Sequence, residues 1–132
     1  GQLADAMPRV RKLIAESVNV IVESNSVLRF LMPDVALFVT DGGVLDFKPS
    51  ALRYLDRVDA LVAVGAASFA GPWNGVSPAL TAGKPRFAVA EDTFSSAELK
   101  RFVQDRLRST PRPVQQAKGP SSSPFPRQDA NP

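Results

Sequence analysis

Short apolar runs recur along this chain, at Val18 to Val22, Val35 to Val39, Ala60 to Val64 and Pro85 to Ala90. Each is too short for an ordinary helix, and its apolar residues are consecutive rather than alternating. That pattern belongs to strands covered on both faces, the condition met in parallel sheets. Helical signals fill the intervals. Leu3, Ala6, Met7, Val10, Leu13 and Ile14 lie at helical spacing over residues 3 to 17, with Arg9, Arg11, Lys12 and Glu16 opposite. Pro8 predicts that the regular helix starts near it. Val27, Leu28, Phe30 and Leu31 make a short helical pattern closed by Met32-Pro33. Pro49 suits a first helical position ahead of Ala51, Leu52, Leu55 and Val58. Residues 66 to 84 read as a loop with one helical turn around Ser77 to Ala82, pinned to the body by Trp73. Ser95-Ser96-Ala97-Glu98 has capping-box spacing, before a helix turning Leu99, Phe102, Val103 and Leu107 inward.

This rhythm predicts a three-layer α/β fold, a parallel sheet flanked by helices and joined by right-handed crossovers. The domain covers residues 1 to 108. From residue 109 to 132, six of the 12 prolines occur among Ser, Gln and Arg, which predicts a disordered tail.

Composition narrows the chemistry. The 132 residues include no cysteine and no histidine. Disulfides, thiolate and zinc-histidine sites and Ser-His triads are thereby excluded. Of the net charge of +3, the tail supplies +2 through Arg112, Lys118 and Arg127 against Asp129. The body carries no basic stripe, which argues against a nucleic-acid partner. No apolar run approaches the ~20 residues that span a bilayer, and no signal-peptide pattern is present, so a cytoplasmic protein is expected. Gly1 in place of an initiating Met predicts a fragment or processed chain.

In parallel sheets, ligands bind beyond the carboxyl ends of the strands. Three expected strands end in acid, at Glu23, Asp41 and Glu91-Asp92. Glu23 is the foremost candidate for catalysis and for magnesium, a hard cation that takes carboxylate, water and phosphate oxygens. Ser24, Asn25 and Ser26 add polar groups directly after it, or instead cap the short helix. Asp41, before Gly42-Gly43, is either a ligand-facing acid or a turn former. Lys48 is either an anion-holding ammonium near a helix start or a solvated lysine, and Asp46 is placed to cap that helix. No GxxxxGK[ST] or GxGxxG loop occurs in the sequence.

Val20-Ile21-Val22-Glu23-Ser24-Asn25-Ser26, Pro33 to Val39, Asp46-Phe47-Lys48-Pro49-Ser50-Ala51 and Asp59 to Val62 together resemble the C-terminal half of a phosphate-loop NTPase-like protein. Among named groups it resembles the molybdopterin-guanine dinucleotide biosynthesis protein B (MobB) group, and the resemblance spans roughly residues 10 to 107. It departs from the group's Val-Glu-Gly-type continuation, which is Glu23-Ser24-Asn25 in this chain. The resemblance implies a nucleotide-binding domain lacking its first strand and phosphate loop. It implies GTP or ATP as ligand, magnesium oriented by Glu23, Asp41 near that site, and a setting in molybdenum-cofactor biosynthesis. Hydrolysis would require an upstream phosphate loop. Such an incomplete sheet is expected to expose an edge and self-associate through it. The alternative is a non-catalytic α/β module, binding a small polar ligand or protein partner at Glu23 to Ser26 and Asp41 to Gly43. A carboxylate-based magnesium enzyme ranks below both, because Asp41-Gly42-Gly43 lacks a second acid two residues on.

Overall fold

Three of the four expected strands form in a computed structural model, which describes residues 1–65 and 71–109. They are β1 (Leu37–Asp41), β2 (Ala60–Val64) and β3 (Arg86–Val89), paired in parallel in the order β1-β2-β3. The helices are α1 (Gln2–Ala15), α2 (Pro49–Leu52), α3 (Pro78–Thr81) and α4 (Ala97–Ser109). The result is a small α/β domain whose three-stranded parallel sheet is flanked by helices. The tail expected over residues 109 to 132 lies outside the described residues, except for Ser109 at the end of α4.

The fourth expected strand, Val18 to Val22, does not form. These residues have no regular secondary structure, and Val18, Val20, Ile21 and Val22 are 81%, 45%, 98% and 44% exposed. Their composition suits a strand, but among the described residues no partner strand supplies the hydrogen bonds that would make one. Pro8 also departs from expectation. It lies inside α1, which runs from Gln2 at the loss of one backbone hydrogen bond. α1 turns Leu3, Met7, Val10 and Ile14 toward the body, with Met7 buried, while Leu13 stays exposed.

Register fixes the two faces of the sheet. Val39, Val62 and Phe87 align, as do Asp41, Val64 and Val89, so these six share a face. α4 covers it by packing Leu99 and Val103 with Val62, Val89 and Phe87, and Phe102 meets Phe87 at 5.3 Å between ring centres. Leu107 is only half-covered, contrary to its expected inward position. On the other face, Phe38 and Leu61 pack with Ala36, Leu55, Val58, Leu52, Trp73 and Val76. Trp73 does pin its loop, with ring centres 5.5 Å from Phe38 and 4.7 Å from Phe47. Asn74 reinforces that attachment by donating to Asp46 Oδ1 at 2.7 Å. Asp46 is thus a loop tie, and α2 carries no side-chain cap.

At the amino edge of the sheet, Asp59 does several jobs. Its N–H donates to the Ala36 carbonyl at 2.7 Å, and its Oδ2 accepts from the Ala36 N–H at 2.7 Å. Its Oδ1 lies 3.6 Å from the Arg106 guanidinium on α4. Nearby, Lys84 Nζ donates to the Val58 carbonyl at 2.7 Å. Asp59→Ala strands the buried Ala36 N–H and is expected to cost about 1.5–3 kcal/mol in urea unfolding. Asp59→Asn keeps an acceptor and loses only the partly exposed ion pair, an expected cost of under about 1 kcal/mol.

Candidate functional site

The carboxyl edge of the sheet gathers the ends of all three strands. Beyond β1, the Gly42 N–H donates to the Val64 carbonyl at 3.0 Å; beyond β2, the Gly65 N–H donates to the Val89 carbonyl at 3.0 Å. These bonds continue the parallel ladder one residue past β1 and β2. Asp41, Gly65 and Glu91 therefore follow one another along the edge.

Asp41 is exposed, and its Oδ1 accepts from the Gly43 N–H at 2.8 Å. Its carboxylate thus closes its own turn, as the turn-forming alternative expects. Gly65 has φ +76°, a conformation costly for any residue with a Cβ. Glu91 folds its side chain over the bare backbone there, and a Cβ on Gly65 would meet Glu91 Oε1 at 2.5 Å. Phe94, three residues further on, has φ 49° and is 66% exposed. Nothing in its sequence neighbourhood signals either property.

The remaining sequence candidates stand apart from this edge chemistry. Glu23, Ser24, Asn25 and Ser26 are all exposed, and Glu23 follows no strand because Val18 to Val22 is unpaired. Ser24 Oγ accepts from the Ser26 N–H at 3.2 Å, a local turn contact. Ser26 precedes a 3₁₀ turn, Val27–Arg29, without a side-chain capping bond. Lys48 is exposed and flanks α2, whose four residues are too few for a helix-terminal anion site. Among the described residues, no hydrogen bond or ion pair joins Glu23 to Ser26, Asp41 and Lys48 to one another across these segments. Also among them, no three acidic groups come together as a metal cage. The capping-box expectation shifts by one residue: the Leu99 N–H donates to Ser96 Oγ at 3.1 Å, so Ser96 caps α4.

A cavity of about 180 Å³ lies elsewhere, lined by Trp73, Val76, Thr81 and Arg86 among others. Arg86 begins β3, which sets this cavity toward the amino edge, away from the acids. Among the described residues no helix is long and apolar enough to cross a membrane. No family model, characterised protein or solved structure compared with this chain matches it.

Gly65→Ala is expected to destabilise the domain by about 1–2 kcal/mol, chiefly through its left-handed backbone. Glu91 can swing aside, so adding Glu91→Ala should not restore stability. Urea unfolding of the single and double variants checks this, and recovery in the double variant would place the cost in the contact instead.

Proposed function

We propose that this chain forms the carboxyl-terminal part of a magnesium-dependent nucleotide-binding domain of the phosphate-loop type. The observation that carries the reading is the parallel sheet, whose three strand ends set Asp41, Gly65 and Glu91 along one edge. Crevices at such edges are where open α/β sheets take ligands. The ligand is GTP or ATP, and the setting implied by the resemblance is molybdenum-cofactor biosynthesis in the cytoplasm.

The residues have distinct roles in this reading. A phosphate loop, which these 132 residues do not contain, holds the phosphates. Glu23 orients magnesium or its water, with phosphate and water oxygens completing the coordination. Ser24, Asn25 and Ser26 supply hydroxyl and amide contacts beside it. Lys48 offers its ammonium to an anionic group, and Asp41 stands behind the metal rather than on it. Glu23 reaches a strand end only when Val18 to Val22 is paired, so the reading requires that segment to join the sheet.

The second reading is a non-catalytic module binding a small polar ligand or protein partner at Glu23 to Ser26 and Asp41 to Gly43. It is favoured by the lack of histidine, cysteine and a phosphate loop in these 132 residues. A second copy of the chain at the open β1 edge is compatible with either reading.

Calorimetric titration separates them. A chain extended upstream by a strand and Gly-x-x-x-x-Gly-Lys-Ser/Thr should bind GTP or ATP only with magnesium. Glu23→Gln should weaken that binding by roughly ten- to a hundredfold. Absence of magnesium-dependent binding in the extended chain would sink the nucleotide reading. For the 132-residue chain itself, no difference between wild type and Glu23→Gln in magnesium and nucleotide titrations would support the module.

A further inference from the structure

The outer edge of β1 and the run Val18 to Val22 are two incomplete surfaces of one chain. Among the described residues β1 pairs only with β2, so the backbone along its other side lacks a strand partner. Its sequence, Leu37-Phe38-Val39-Thr40-Asp41, has no lysine or proline and carries charge only at its last residue. Those are the usual guards against pairing with another chain. Val39 is 60% exposed because α4 packs over Val62 and Val89 instead.

Val18 to Val22 matches β1 in length and is strongly strand-forming, with three valines and an isoleucine. Its flanks are held to the body. Arg11 on α1 donates to the Phe30 carbonyl at 3.1 Å, Arg57 donates to the Leu28 carbonyl at 2.8 Å, and Val27 is buried. Anchored flanks restrict the ordering cost of pairing to a few residues.

We propose that two copies of this chain associate by reciprocal strand addition, Val18 to Val22 of each pairing with the outer edge of β1 in the other. Each copy gives one strand and receives one, so the contact is two-fold and closes at a dimer. The inference is independent of the nucleotide reading. Fully burying a Val or Ile side chain removes roughly 60–120 Å² of apolar surface. Weighting Val18, Val20, Ile21, Val22 and Val39 by their exposure, the two copies together hide roughly 400–800 Å². Stable interfaces bury about 1,600 Å², so the dimer is weak and concentration-dependent.

Sedimentation equilibrium of the 132-residue chain over a wide concentration range should show a monomer–dimer equilibrium. Ile21→Lys and Val39→Lys should each weaken it by about tenfold or more, with circular dichroism unchanged because both sites are exposed. The absence of cysteine gives a second readout. Val20→Cys or Ile21→Cys chains, mixed with Val39→Cys chains and oxidised, should yield disulfide-linked pairs of unlike chains. A monomer at every concentration overturns the proposal. So does a dimer indifferent to both lysine substitutions, or cross-linking only of like with like.

Discussion

A two-point clasp between Ala36 and Asp59 decides how β1 lies on β2. The two backbones exchange one bond directly, and the Asp59 carboxylate closes the other. Because side chains alternate between faces, a slip of one residue would send Phe38 to the α4 face and Val39 into the core. The clasp excludes that slip at the entrance to both strands. Arg106 brings the last turn of α4 to the same carboxylate, so sheet register and helix position are set from one side chain. The alignment of Asp41 with Val64, and of Val64 with Val89, is the far-end consequence.

The two faces are covered by different means. α4 supplies a regular apolar stripe to one of them. The other has only short helical pieces and a loop, and aromatic contacts make up the difference. Phe38, Phe47 and Trp73 meet edge to face or tilted, geometries that aromatic quadrupoles favour. Asn74 then ties its loop twice to the segment before α2, through the Asp46 carboxylate and the Leu45 carbonyl. A loop fastened this way takes the place of a packed helix.

The sequence was most legible where a local signal and a tertiary partner agreed. β2 and β3 lie inside their expected apolar runs, β1 overlaps its run and continues to Asp41, Pro49 begins α2, and Trp73 anchors its loop. Legibility failed where the outcome depended on a neighbour. Val18 to Val22 is a short, β-branched apolar run of the same length as β2, yet a strand is a property of pairing and among the described residues this run has no pair. Since the placement of Glu23 at a sheet edge rested on that strand, it failed with it. Asp46 had the right position for a cap, but Asn74 from a distant loop claimed its carboxylate. Ser95 and Glu98 had capping-box spacing, and α4 started one residue later. The importance of Asp59 was invisible, because its partners lie 23 residues before it and on the last helix.

The open edge and the acidic edge meet at Asp41, which ends the outermost strand. Any strand added outside β1 places one of its own ends about 5 Å from the Asp41 backbone, the spacing between neighbouring strands. Orientation then decides the chemistry. Parallel addition of Val18 to Val22 would carry Glu23 to the end where Asp41 stands. Antiparallel addition would instead carry Glu23 to the amino edge, near Ala36 and Asp59, far from any strand-end crevice. One pairing event would thus complete the sheet, hide the exposed valines and determine which edge of the sheet Glu23 joins. In the proposed nucleotide reading, that coupling is why Glu23 acts only together with the edge it joins.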